Sequence, residues 1–478
     1  LPLKETLRQI APGPFYFLRD VKDGLKNEIR TVRTLGLRKI VSNAFSQQKA
    51  TLDQLPFQKI LTKKFPSLEF GNIEELMDGL GCDQDQIATG GHTVYLSPQE
   101  WSNSVLSELK ESYPAHCGMK IFRQLGDETA SVLCDDIPSS YLLKKNFTSH
   151  SEQVLIFAYL HAQQIAPRLI DIFLLEGKTQ TAVCYVVQHI ERIEPSVEQY
   201  DRVVGKLKSL AKQGDISLNN VAGFQDHDFS LPNCNRNLYA DERTGQAYYI
   251  DPHNFEISNY EKFLKETALT AQNISHFGDK SVLLGGDYLY QAIPGLNMMA
   301  KREPVKRMAI FNELLEQAGE SLENRNVIDI GCNMGLAGAH YLRAGAHWVH
   351  GLDFEKVADQ AEKVMSAIGC TRFSTTKGEM SAQTSLRQVI EQNLHLDKQD
   401  NVISYLSIRG HIDWIEELKD IPWATMLYEG HQAEGIEENH AFISHLNDIV
   451  PVTIKAETVA QDGSSEERYL AVLHRTIG

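Results

Sequence analysis

The strongest constraint on this chain is an alternation in its last third. Over residues 324–478, short apolar runs alternate with stretches of helical length: "NVIDIG", "HWVHGLD", "TRFST", "NVISYLS", "WATMLYEG", "PVTIKAETV" and "RYLAVLHR". Strands that alternate with helices imply a mostly parallel sheet joined by crossover helices.

The first of these strands breaks into a glycine-containing turn, "VIDIGCNMG", residues 327–335. Gly331 and Gly335 allow the backbone to turn sharply and approach a ligand closely. The turn is not GxGxxG, and no helix start is evidently aimed at a pyrophosphate, which argues against a dinucleotide. Asp353 ends the next strand, where a carboxylate can take both hydroxyls of a ribose.

Residues 324–478 resemble a class I S-adenosylmethionine-dependent methyltransferase, a Rossmann-like doubly wound domain. Asp329, Gly331 and Gly335 match that family's first motif, Asn333 lies within it, and Asp353 matches its ribose-binding acid. The resemblance implies S-adenosyl-L-methionine as cofactor, with Glu379 on the adenine side. "YLSIRGHIDW" and "YEGHQAEG" follow the fourth and fifth strands, where such a sheet places its crevice. Tyr405, Arg409, His411, Glu429 and His431 are therefore acceptor-side candidates. His411 or His431 would serve as base for a hydroxyl or amine, whereas an anionic phosphate oxygen would need only a cation such as Arg409.

A second pattern lies upstream. "MKIFRQL", "ASVLCDD" and "SYLLKKNF" alternate and turn like a small antiparallel sheet. The helix "SEQVLIFAYLHAQQI", the apolar run "TAVCYVVQHI", a helical stretch over 196–213, and "HDFSLPNCNRNLYADERTGQAYYIDP" (227–252) follow. Their order resembles the protein-kinase-like fold, nearest to small phosphotransferases of the aminoglycoside and lipopolysaccharide type. Phosphoryl transfer from ATP needs a cation on the phosphates, metal ligands and a residue to orient the acceptor. The resemblance implies Lys144 or Lys145 on the phosphates, Glu152 pairing with that lysine, and the Gln188-His189 backbone against adenine. Asp228 would orient the acceptor hydroxyl, and Asp251 with Asn237 or Asn233 would hold Mg²⁺. Asn237 is favoured, because the hairpin expected after it is harder to stretch than a loop.

The expected architecture is thus multidomain, α/β and α+β: a basic, mostly helical region over 1–115, a two-lobed kinase-like domain over 116–275, and a methyltransferase domain over 276–478 with a helical lead-in at 276–323. A fused kinase and methyltransferase resembles the bifunctional enzymes that terminate bacterial O-antigen chains, with the two domains in exchanged order. That resemblance implies phosphorylation and then methylation of a glycan or glycolipid terminus. The alternatives are a methyltransferase of a small molecule or RNA whose kinase-like domain only binds, and an interaction scaffold.

The net charge of −16 argues against general nucleic-acid binding. Residues 1–70 nevertheless carry 13 Lys and Arg against 6 Asp and Glu. Within 15–42, Leu18, Val21, Leu25, Ile29 and Val32 recur at helical spacing, with Lys22, Lys26 and Arg30 on one face. Such a helix suits internal docking, a protein partner or an anionic membrane surface. Seven scattered cysteines without CxxC spacing fit reduced thiols. The absence of a long apolar run or a secretory signal points to a cytoplasmic protein, with a peripheral place on the inner membrane open.

Overall fold

The computed structural model describes residues 61–63, 75–76, 80, 93–122 except 105, 150–178, 181–218, 238–250, 255–257, 260–275, 288–293, 299–302, and 304–476 with breaks at 378–384, 409–414, 432–433 and 462–466. The basic stretch 15–42 and the expected strands "ASVLCDD" and "SYLLKKNF" lie outside them.

Upstream, five strands form one sheet in the order β1-β4-β5-β3-β2. They are β1 (Leu61–Lys63), β2 (Thr93–Leu96), β3 (Cys117–Phe122), β4 (Leu169–Glu176) and β5 (Thr181–Gln188). β1 runs parallel to β4, and the other pairings are antiparallel. The sheet therefore draws strands from both sides of residue 115, where the sequence suggested a break. Two short helices, α1 (Pro98–Ser102) and α2 (Ser107–Lys110), lie between β2 and β3. The first starts on a capping box of Ser97 and Glu100.

Helix α3 (His150–Ala162) lies between β3 and β4 in the chain. Val154 through Leu160 are all buried. Seven consecutive residues go round the whole helix, so α3 is covered on every side. Its neighbours are β4 of its own sheet, the later strand Phe255–Ile257 and a helix of the downstream domain.

Beyond β5 come β6 (Arg192–Ile193), α4 (Val197–Gln213) and β7 (Ile216–Leu218). Then follow β8 (Leu238–Asp241), β9 (Ala247–Tyr249), β10 (Phe255–Ile257) and α5 (Tyr260–Ser275). The hairpin expected after Asn237 is present: β8 pairs antiparallel with β9. Its turn is held by Asp241, which accepts from the Thr244 hydroxyl at 2.8 Å, and by Gly245 at φ +68°. The lead-in expected to be helical holds two short parallel strands, β11 (Tyr288–Gln291) and β12 (Met299–Arg302), before α6 (Pro304–Ala318). Four-residue runs do not show a period that separates strand from helix.

The downstream domain is a seven-stranded sheet in the order β15-β14-β13-β16-β17-β19-β18. Its elements are β13 (Asn326–Ile330), α7 (Leu336–Arg343), β14 (Trp348–Asp353), α8 (Glu355–Ala367), β15 (Phe373–Lys377), α9 (Leu386–Gln392), β16 (Val402–Leu406), β17 (Thr425–Glu429), α10 (Ile436–Ile449), β18 (Val452–Gln461) and β19 (Glu467–Arg475). The first five strands are parallel, as the alternation implied, and β19 enters antiparallel between β17 and β18. Every residue of β13, β14, β16 and β17 is buried, as expected of parallel strands covered on both faces. The chain builds outward from β13 to β15 and then returns to β16, so the topological switch point lies between β13 and β16.

β15 is the edge of this sheet, and the upstream chain covers it. At the start of β4, Leu169 pairs with Val187 and Asp171 with Val186, which leaves Ile170 as a bulge. Its carbonyl accepts the Arg372 N–H at 2.8 Å. The Arg168 guanidinium donates to the Phe373 carbonyl and pairs with Glu362 at 2.9 Å. The buried Asp171 accepts from the Tyr113 hydroxyl at 2.8 Å and faces the buried Arg372 at 3.6 Å. One apolar core runs from α3 and β4 through α5 into α8 and the strands of the second sheet.

Removing one partner of a buried ion pair leaves the other charged and desolvated. Asp171→Ala strands Arg372 and the Tyr113 hydroxyl, and is expected to cost about 3–5 kcal/mol, seen as a lowered urea midpoint. Asp171→Asn, which still accepts from Tyr113, is expected to lose less.

Candidate cofactor-binding site

The loops that leave β13, β14 and β16 meet at the switch point. After β13 the backbone turns through Gly331 (φ +76°), Asn333 (φ +49°) and Gly335 (φ +79°). Three left-handed residues in five make a tight reversal, and the asparagine adopts this region more readily than most side chains. Two of the positions also need the missing Cβ. At Gly331 it would lie 2.5 Å from Ile408 Cγ2, and at Gly335 2.8 Å from Met365.

The five amides of the turn point inward. Gly331 and Cys332 donate to the Leu352 carbonyl at 2.8 and 3.2 Å, and Gly335 donates to the Cys332 carbonyl at 2.8 Å. Met334 N–H donates to the Asn333 side chain, and Asn333 N–H to Asp353 Oδ2, both at 2.8 Å. A phosphate cradle needs amides turned toward the ligand, and these are spent on the protein.

Asp353 is fixed from two sides. Oδ2 accepts from Asn333 N–H and Oδ1 from Phe354 N–H, each at 2.8 Å. Burial raises the Asp353 carboxyl above its usual range, and these two amides oppose the shift. Each oxygen keeps a further lone pair, so the pair can accept from two vicinal hydroxyls. Phe354 sits directly beyond this acid, and its side chain is 38% exposed, an apolar surface at the mouth of the site.

Asp329 is 2% exposed and accepts from Ser404 Oγ at 2.6 Å through Oδ1. Its Oδ2 is buried without a hydrogen-bond partner. Burial first, and then the Asp353 carboxylate, push the Asp329 carboxyl up to about 7, against Ser404 and Arg307. Asp329 and Asp353 thus make the crevice an environment for a cation.

The acceptor-side candidates divide. Tyr405 is buried against Tyr428 and Phe442, with ring centroids 6.3 and 5.8 Å away, so its ring belongs to the core. Glu429 is fully buried between Arg307 at 3.2 Å and Arg468 at 3.4 Å, which makes it an ion-pair member rather than a free base. His431 is half-buried and donates its backbone N–H to Glu434 at 3.1 Å. Arg409, His411 and Glu379 lie outside the described residues.

Of the kinase-like set, Lys144, Lys145, Asp228, Asn233, Asn237 and Asp251 lie outside the described residues, as does the side chain of Glu152. Gln188 ends β5. The amides that would face a purine are already used. Gln188 N–H donates to the Arg168 carbonyl at 2.8 Å and His189 N–H to the His116 carbonyl at 3.0 Å. Ile190 N–H bonds to the Tyr95 hydroxyl and Glu191 N–H to Asp241 at 3.1 Å. Tyr95 also stacks on His189 and carries the Arg192 guanidinium 4.2 Å above its ring. Among the described residues no three His, Cys, Asp or Glu gather as a metal site, and no helix is long and apolar enough to cross a membrane.

Phe354, Ser404, Arg307 and Arg468 were missed in the sequence. Phe354 had a signal, its place directly after Asp353, the acid expected to take a ribose, but the two arginines reach the site from distant elements and had none.

No protein-family model and no curated protein matches the chain. Solved structures align over about 37% of it. Similar to that portion are a candidate RNA methyltransferase, PH1948 of Pyrococcus horikoshii (13% identity, 37% of this chain and 86% of that one, TM-score 0.28), and the N-terminal domain of EvdMO1 with SAH bound (14%, 37% and 82%, TM-score 0.26). A third is a candidate S-adenosylmethionine dependent methyltransferase of Listeria monocytogenes (10%, 37% and 100%, TM-score 0.27).

The raised Asp329 carboxyl has a consequence for stability. Between about pH 4 and pH 7 the folded chain holds a proton that the unfolded chain has released. Stability therefore falls as pH rises through that window, by on the order of 2–4 kcal/mol at completion. Asp329→Asn removes the titration. Its ligand-free melting temperature should change less between pH 5 and pH 8 than that of the wild type, and should exceed it at pH 8.

Proposed function

We propose that the chain is an S-adenosyl-L-methionine-dependent methyltransferase whose cofactor lies across the ends of β13, β14 and β16. The inward-turned amides of residues 331–335 carry this reading. A pyrophosphate cofactor would need those amides, whereas a cationic nucleoside without phosphates does not. The residues present fit such a group. Asp353 is oriented for the ribose hydroxyls, the exposed Phe354 ring offers a face to the adenine, and the orphaned Asp329 oxygen favours positive charge on the cofactor. The glycine turn lets the backbone approach closely.

When bound, S-adenosylmethionine supplies an electrophilic methyl on a sulfonium, and the protein's task is mostly alignment with the acceptor. Neither Tyr405 nor Glu429 is free to act as a base, so a general base would come from His411 or His431. An acceptor that is already anionic would need none.

A second reading adds phosphoryl transfer upstream, with ATP and Mg²⁺, acting on a glycan or glycolipid terminus before methylation. The β8–β9 hairpin directly after Asn237 favours it, while the occupied amides of residues 188–191 weigh against a purine there. Asp251→Ala separates the two readings. If phosphorylation comes first, this variant consumes no ATP and yields no methylated product; if it does not, methyl transfer is unchanged.

Calorimetry with S-adenosylhomocysteine tests the main reading. The wild type should bind it and should show no competition from NAD. Asp353→Ala should weaken binding by at least about tenfold, as expected on losing hydrogen bonds to a charged group, while the ligand-free melting temperature stays close to wild type. Preferential binding of NAD would overturn the proposal.

A further inference from the structure

The far lip of the crevice is the exit of β16, and a residue from the other end of the sheet holds it. Ser407 follows β16 with φ +58°, the left-handed region that a serine rarely adopts. Its N–H donates to the Glu429 carbonyl at 2.9 Å, and its hydroxyl takes the Arg468 guanidinium at 2.6 Å. The same Arg468 nitrogen reaches the Gly430 carbonyl at 3.4 Å, and its Nε faces Glu429 at 3.4 Å. On the other side Glu429 faces Arg307 from α6 at 3.2 Å. Arg468 is 1% exposed, so it touches neither solvent nor a ligand in the crevice.

The next residue reaches the cofactor turn. Ile408 is so close to Gly331 that a Cβ there would lie 2.5 Å from its methyl. A buried cluster of two arginines and a carboxylate is costly compared with apolar packing. A left-handed serine is strained as well and persists only where its surroundings over-determine it. Both costs fall on the segment that faces the glycine turn across the switch point.

We propose that Arg468 is a positioning residue of the cofactor site: anchored by Glu429 and Arg307, it holds Ser407 left-handed and so seats Ile408 against Gly331, fixing the width of the crevice. This inference rests on the methyltransferase reading. Lysine at 468 has one compact ammonium and lacks the planar fork that spans Glu429 on one side and Ser407 and Gly430 on the other. Alanine at 407 keeps the Arg468–Glu429 pair but removes the hydroxyl.

The test is a titration of the full chain with S-adenosylhomocysteine by calorimetry, with the Ile408 methyl resonance followed by NMR. Arg468→Lys and Ser407→Ala should each weaken binding by about fivefold or more, as for loss of a charge-assisted bond that orders the site. In wild type the Ile408 methyl should shift on saturation, and in Ser407→Ala it should be displaced before any ligand is added. A general loss of stability alone would move the melting temperature but not the affinity of the folded fraction. Should Arg468→Lys fail to fold, Ser407→Ala decides. Binding within twofold of wild type by folded Ser407→Ala overturns this inference and leaves the methyltransferase reading standing. No binding by the wild type overturns both.

Discussion

The structure depends on how the free edge of its large sheet is closed. Among the described residues β15 has one strand neighbour, β14, so its outer polar groups would face water or another chain. Two of them, and the amide just before the strand, are met instead. Ile170, in the β4 bulge, takes the Arg372 N–H, Arg168 takes the Phe373 carbonyl, and Glu362 takes the Thr375 N–H at 2.9 Å. The effect reaches the cofactor site through one side chain. The Phe373 ring lies against Gly335, Gly338 and Gly351, where any added Cβ would crowd it. The strand that the upstream sheet caps is therefore the strand whose ring backs the glycine turn.

Charge in the crevice follows from a second constraint. Parallel strands buried on both faces favour their carboxyl ends for charged groups, and β13, β14 and β17 each place a carboxylate at or next to that end. Glu429 is neutralised by two arginines, Asp353 is steadied by two amides, and Asp329 keeps an oxygen without a hydrogen-bond partner. Negative potential at the switch point therefore grows as Asp329 gives up its proton near neutral pH. A cation gains there, and an anion such as pyrophosphate would meet repulsion as well as a turn whose amides at 331–335 face inward.

What was legible in the sequence is what neighbouring residues encode. "VIDIGCNMG" contains its own turn, because Gly331, Asn333 and Gly335 are the positions that go left-handed. Asp353 was legible because it ends an apolar run, and the hairpin after Asn237 because its turn residues lie together. The missed parts depend on long-range partners. "LIDIFLLE" is β4, an apolar run whose meaning lies in the bulge at Ile170 and in Arg372 some two hundred residues away. Tyr405 looked like an acceptor-side residue from its strand-end position, yet aromatic neighbours from β17 and α10 draw it into the core. Arg307 and Arg468 matter only because α6 and β19 converge on Glu429.

Helix α3 ties the upstream sheet to the downstream domain. In a self-contained two-lobed domain, a helix between β3 and β4 would turn one face to its sheet and the other to solvent, and its sequence would alternate accordingly. α3 instead reads Val-Leu-Ile-Phe-Ala-Tyr-Leu from 154 to 160, with all seven residues buried among its own sheet, β10 and α8 of the downstream domain. Such a sequence would expose several large apolar side chains if the downstream domain were absent, a surface that soluble domains avoid. Whatever else the described residues of 61–250 do, their core is shared, and the crevice at the switch point is built on both halves of the chain.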